Sequence, residues 1–174
     1  MRFLLAGVFF LLLSCLRAAG TNPVPTRPTV ATVYVFLDPG CPISQNATVA
    51  LRELYAVYSP QGVAFVGLFP GPEVALTDVA GFGRQYQIPF RLLRDEHQES
   101  TRRFQARITP EVVVARPDGT VLYQGRIDNS YARLGVRRTV TTSHELADAL
   151  AAVVAGRAVT QPRTDAVGCF ITTH

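Results

Sequence analysis

The sequence predicts an α/β domain built around one central mixed β-sheet flanked by helices. Two observations predict it. The first is a β-α-β order between Val33 and Phe69, and the second is an Asp-Gly turn joining two apolar segments later in the chain. A strand, a crossover helix and a second strand make a parallel pair, whereas a tight Asp-Gly turn makes an antiparallel one, so the sheet must be mixed.

The elements follow in order. Val33-Tyr34-Val35-Phe36-Leu37 is an apolar run of strand length that ends at Asp38-Pro39-Gly40. From Pro42 to about Tyr58, Val49, Leu51, Leu54, Tyr55 and Tyr58 recur at helical spacing, and Ser59-Pro60-Gln61-Gly62 stops the helix. Val63 to Phe69 is continuously apolar, as a strand covered on both faces should be. Val74, Leu76, Val79, Phe82 and Tyr86 predict a helix over 72–86, despite Gly81 and Gly83. A short segment, Phe90 to Leu93, precedes a third helical stretch running from about Asp95 to Ala106. Val112–Ala115 and Val121–Gly125 are then strands joined through Asp118-Gly119. The last helix starts near Ser143, its N-cap candidate, carries Leu146, Leu150, Val153 and Val154 on one face, and stops at Gly156.

The 174 residues, 48% hydrophobic, suffice for one core of ordinary size. Residues 1–20 read as an export signal: Arg2 precedes the apolar run Leu4 to Leu13, which is short for a membrane span. Two exits are open. Leu12-Leu13-Ser14-Cys15 resembles a lipobox, in which Cys15 would be lipidated, and Ala18-Ala19-Gly20 offers ordinary cleavage. An uncleaved anchor is the third option. Residues 21–30 form a Pro-rich linker, 31–157 the domain, and 158–174 a tail carrying Cys169. The expected location is therefore periplasmic, or anchored on the extracytoplasmic side of a membrane through the N-terminus.

Net charge is +4, and all 17 basic residues are Arg. Arg102-Arg103 and Arg137-Arg138 are isolated pairs without interleaved aromatics, which argues against nucleic acid as a partner. Asn46-Ala47-Thr48 is formally a glycosylation sequon inside the first helix, where it carries little meaning.

Chemistry centres on Cys41, at the junction of the first strand and the first helix. The opening turn of a helix presents unpaired N–H groups and the positive end of its dipole, and both favour a thiolate. A cysteine so placed has its pKa drawn from about 8.5 to as low as about 3.5–7.5 and becomes a nucleophile or a metal ligand. Either processing route takes Cys15 out of the redox inventory and leaves Cys41 and Cys169, an even pair in an exported chain, which invites a disulfide.

Four motifs stand in a fixed order with that cysteine: Cys41-Pro42-Ile43-Ser44, Thr109-Pro110-Glu111, Gly125-Arg126-Ile127-Asp128-Asn129 and Val167-Gly168-Cys169-Phe170-Ile171. Together they resemble the exported bacterial redoxins, the AhpC/TSA-type branch of the thioredoxin-like fold, over about residues 31–157 and the terminal motif. The resemblance implies a thiol oxidoreductase acting on a disulfide or a peroxide, with Cys41 as nucleophile. It also implies a cis bond between Thr109 and Pro110 facing Cys41, an ordinary trans turn being the alternative. No cofactor is implied, and the partner would be a thiol or disulfide protein or a reductant. Oligomeric state is left open.

Departures from the family pattern matter as much. Ser44 stands where thioredoxin has its second cysteine, so local dithiol exchange is excluded and any mixed disulfide needs another resolver. The Ser44 hydroxyl either hydrogen-bonds a thiolate or is an ordinary first-turn residue. Asp38 stands three residues before Cys41, where peroxiredoxins carry threonine, and its carboxylate would repel a nearby thiolate. Cys169 sits in an apolar patch after a polar stretch, placed either to dock as a resolving thiol or to be a small buried residue. Arg126 and Asp128 are expected to tie a loop to the sheet edge, with steering of an anionic substrate as the minority reading.

The competing class is a copper-binding, metal-delivery module. Cys41, Cys169 and His97 would make a soft ligand set if they converged, as in the Sco-type copper chaperones of the same fold, although the local Cys-x-x-x-Cys of those proteins is absent. A redox-silent adaptor that holds a partner in the same groove is a third class. His144 and His174 add little.

Overall fold

The computed structural model describes residues 28–173. The expected signal, Cys15, residues 21–27 of the linker and His174 lie outside the described residues. Among the described residues, no helix is long and apolar enough to cross a membrane.

Strand β1 is Ala31–Phe36, followed by α1 (Pro42–Tyr58), β2 (Val63–Pro70), α2 (Leu76–Gln85), β3 (Arg91–Asp95) and α3 (Glu99–Phe104). Then come β4 (Ile108–Thr109), β5 (Glu111–Ala115), β6 (Val121–Gly125), β7 (Tyr131–Arg133), β8 (Val136–Arg137), α4 (Glu145–Val154) and β9 (Cys169–Phe170). The main sheet has the order β3-β2-β1-β5-β6. β1 pairs parallel with β2 and β2 with β3, while β5 runs antiparallel to both β1 and β6. The sheet is mixed, as the β-α-β order and the Asp-Gly turn require.

Side-chain alternation distributes the strands between two layers. Val33 and Val35 of β1 and Val112 and Val114 of β5 face the larger core with Leu51 of α1, Val79 and Phe82 of α2, and Leu146 and Leu150 of α4. Phe36 and Val113 point the other way, against Phe104 of α3 and, at the end of the chain, Ile171. Leu146 and Leu150 are wholly buried, which stabilises by about 1.5–3 kcal/mol per side chain.

Several boundaries differ from expectation, each for a local reason. The second helix starts at Leu76 rather than Pro72, because Ala75 is its N-cap with extended backbone at φ −74° and ψ 149°. The segment near Phe90 is a full edge strand reaching Asp95. α3 is shorter than expected, because Gln98 and Gln105 bound it in left-handed conformations. Ser143 does not cap α4: His144 is the N-cap, and the Ser143 hydroxyl instead donates to the Glu145 carboxylate.

The tail is bonded to the body along two stretches, near residues 162–164 and 169–172. Gln124 N–H donates to Pro162 O at 2.9 Å and Gln124 O accepts from Thr164 N–H at 3.1 Å, so residues 162–164 run along the outer edge of β6. The chain then turns to pair β9 antiparallel with β4, Thr109 opposite Cys169 and Ile108 opposite Phe170. Two more bonds close the arrangement, from Ile171 N–H to Arg107 O and from Gln98 Nε2 to Thr172 O.

Candidate active site

Cys41 is the N-cap residue of α1, with extended backbone at φ −87° and ψ 114°, and Pro42 holds the first helical position. A capping side chain ordinarily accepts from the N–H groups at the second and third helical positions, here Ile43 and Ser44. Here the neutral Cys41 side chain makes no such capping bond. As a thiol, Cys41 donates to Thr109 O at 3.2 Å. Burial disfavours its anion, yet a hydrogen bond from the Cys169 thiol and bonds from the amides of Ser44, Cys169 and Ile43 outweigh that penalty and hold the Cys41 pKa below the ordinary thiol range. The other thiol is driven the opposite way. Its partial burial, its hydrogen bond to Cys41 and the negative charges of Cys41 and Asp38 push the Cys169 pKa up to about 12. Cys169 therefore holds its proton more tightly than Cys41 does.

The structure therefore brings Cys41, Cys169, Ser44, Thr109 and Pro110 into one site. Both cysteines are free thiols. The Thr109–Pro110 bond is cis. The Thr109 hydroxyl donates to Cys169 O at 3.4 Å, adding to the β4–β9 pairing. Ser44 is fully buried, and it is its amide that faces the Cys41 sulfur; its hydroxyl oxygen accepts the Asp38 N–H at 3.3 Å. The Asp38 carboxylate folds back onto the Gly40 N–H at 2.7 Å, and its charge is felt at Cys169.

His97 does not join the cysteines. Among the described residues no group of three His, Cys, Asp or Glu side chains could hold a metal ion, so the copper set Cys41, Cys169 and His97 does not assemble. The left-handed turn at Gln98 is the cause. It buries Gln98 toward the tail and leaves the neighbouring His97 exposed.

Arg126 and Asp128 make the loop contacts expected of them, and both also border a cleft next to the site. Arg126 Nε donates to Glu145 Oε1 of α4 at 2.8 Å, and Nη2 bonds the same oxygen. Asp128 accepts Ser130 N–H, and Asn129 Oδ1 accepts the N–H groups of Thr142 and Ser143. This open cleft of about 230 Å³ borders the site; Ile43, Pro110 and Val167 line it together with Arg126, Asp128 and Tyr131, and neither cysteine does.

Sequence reasoning missed two glycines that seat the tail. A Cβ on Gly168 would stand 2.0 Å from Thr109 O, and one on Gly125 2.3 Å from Thr164 O. Both lie inside motifs quoted for the family resemblance, and their small size was the available signal.

A thioredoxin-like fold that presents a cysteine of lowered pKa at the head of its first helix, opposite a cis-proline, defines a redoxin. Residues 28–124 match the AhpC/TSA family, and the chain belongs to that family. Thiol-based redox chemistry is thus its general class. Among solved structures it is similar to an uncharacterized conserved protein from Geobacillus kaustophilus, with 27% identity over 86% of this chain and 80% of that one and a TM-score of 0.74. A hypothetical protein from Sinorhizobium meliloti 1021 is 24% identical over 84% of this chain and 81% of its own, with a TM-score of 0.73. A secreted Mycobacterium tuberculosis disulfide oxidoreductase homologous to DsbE of E. coli shares the fold at 23% identity over 74% of this chain and 83% of its own, TM-score 0.51. A comparison with curated proteins gives no match.

Proposed function

We propose that the protein is a two-cysteine thiol oxidoreductase in which Cys41 attacks a peroxide or a disulfide and Cys169 resolves the product. The observation that carries this reading is the mutual placement of the thiols: Cys169 pairs with Thr109, the residue whose carbonyl accepts the Cys41 S–H, and each thiol shifts the pKa of the other.

With a hydroperoxide, the Cys41 thiolate attacks one oxygen, the O–O bond breaks, an alcohol or water leaves, and Cys41 becomes a sulfenic acid. With a disulfide, the S–S bond breaks, one thiolate leaves, and a mixed disulfide remains at Cys41. Either product removes the Cys41 charge, which adds to burial in keeping Cys169 protonated. Cys169 then loses its proton more readily, attacks the Cys41 sulfur, and closes a Cys41–Cys169 disulfide with loss of water or of the second thiolate. An external thiol reductant returns the pair to the starting state.

The N-terminal signal pattern supports an exported protein, periplasmic or tethered through Cys15, that meets a thiol or disulfide partner or a reductant there. Thiol trapping with peptide mapping, before and after mild oxidant and reductant, tests the cycle. A reversible Cys41–Cys169 disulfide, with turnover abolished in Cys41→Ser, is expected. Two thiols that stay free under oxidant, or full turnover in Cys41→Ser, would overturn the reading.

A further inference from the structure

An edge strand beside a nucleophile is the natural docking place for an extended polypeptide, whose main chain adds to the open ladder. Here that place is β4, next to Cys41, and the chain itself fills it. Cys169 and Phe170 pair with Thr109 and Ile108, and Ile171 N–H continues the contact to Arg107 O at 2.9 Å. With this strand in place, Cys41 is only 1% exposed.

The seat is built into the body as well as the tail. Gly168 lets the tail backbone approach Thr109 O so closely that no side chain fits between them, and Gly125, at φ 150°, does the same for Thr164. The Thr164 Oγ1 accepts Arg126 N–H at 3.1 Å and hydrogen-bonds Tyr123 Oη at 2.7 Å. Ile171 packs against the core that holds Phe36 and Phe104.

Resting on the assignment of Cys41 as nucleophile, we propose that residues 167–171 are an internal occupant of the polypeptide-docking edge, so that the protein in its seated state acts on small hydroperoxides or low-mass disulfides and excludes extended protein disulfides. On this proposal small molecules approach from another side. The cleft lined by Ile43, Pro110 and Val167 borders the three segments that enclose the Cys41 sulfur, though neither thiol lines it, and it lies off the β4 edge. A polypeptide disulfide gains access only when the β4–β9 ladder opens.

The test uses a chain carrying Cys15→Ser and Cys169→Ser, in which Cys41 is the sole thiol. Two probes share a leaving group: bis(2-hydroxyethyl) disulfide, and a ten-residue peptide whose single cysteine is disulfide-linked to 2-mercaptoethanol. In both, the Cys41 thiolate attacks, the S–S bond breaks, and 2-mercaptoethanol leaves as thiolate. Rates are normalised to those of each probe with free dithiothreitol.

The small disulfide should react faster than the peptide by roughly a hundredfold, since one must enter a cleft and the other must displace a bonded strand. Adding Gly168→Val, or separately Ile171→Asp, should lower that preference by roughly tenfold or more, because each unseats the tail without touching Cys41. Amide exchange at Phe170 and Ile171 reports the unseating directly. A normalised ratio near one at the outset, or a preference unchanged in both variants while those amides exchange freely, would overturn the proposal and leave Cys41 a nucleophile. Reaction with neither probe in any variant would remove the nucleophile assignment, and the proposal with it.

Discussion

Thr109 and Cys169 face each other across a two-residue antiparallel ladder, and the carbonyl of Thr109 also accepts the Cys41 S–H. One backbone unit thereby sets the position of both thiols. Because the ladder is main-chain, Cys169→Ser should keep the tail seated while removing the resolving sulfur. After one equivalent of hydrogen peroxide, Cys41 should then persist as a sulfenic acid that dimedone traps, and steady turnover should drop by on the order of a hundredfold or more. Multiple turnover at the parent rate would sink the two-thiol cycle.

Alkylation of Cys41 by iodoacetamide should follow a titration whose midpoint lies below the roughly 8.5 of a free thiol. The sign follows from the depressed pKa: the thiolate, and its reactivity, is present above that midpoint and is lost as pH falls through it. Cys169→Ala removes the S–H donor and should move the midpoint upward. A midpoint at or above that of a free thiol in the parent would contradict the electrostatics of the site.

The Arg126–Glu145 pair joins the loop after β6 to the head of α4. Burial raises the Glu145 pKa, but the hydrogen bonds from Arg126 and Ser143 outweigh it and hold the carboxyl below its ordinary value. Glu145→Gln should cost about 1–3 kcal/mol near neutrality. Since the folded pKa is depressed, that difference is complete above the unfolded pKa of about 4.3 and vanishes as pH falls through the folded value. Denaturant unfolding of both proteins at neutral and acid pH measures it, and a gap that stays constant with pH would refute the ionic account.

Gly125→Ala places a methyl against the backbone of Thr164 at a φ that side chains rarely adopt. The expected loss is about 1–3 kcal/mol, with faster amide exchange at Thr164 than in the main sheet. An unchanged exchange rate at Thr164 would show that the tail does not depend on this approach.

The main sheet was legible because its strands carry strong local signals: the continuous apolar run of β2, the Asp118-Gly119 turn, and the stop at Gly62. Cys41 was legible for the same reason, since a strand-to-helix junction is visible in the chain. Strands β4 and β9 were not. Each is two residues long, and their pairing comes from chain segments far apart in sequence, so neither periodicity nor composition marks it. The hairpin of β7 and β8 escaped for a related reason: Ala132 to Val140 is exposed at every position, so no hydrophobic alternation announces a strand. The fate of His97 depended on one left-handed residue, Gln98, which no pattern in the sequence reveals.

β9 follows every other described element in the chain, and this order gives the site a history. The main sheet and α1 set Cys41 at the head of that helix without drawing on the last strand. A molecule whose last strand is not yet seated therefore has an uncovered Cys41 and an uncovered strand edge, without the Cys169 donors and without an internal partner. Oxidants or foreign cysteines encountered in that interval meet a one-thiol site, and arrival of the last strand converts it to the guarded, two-thiol form.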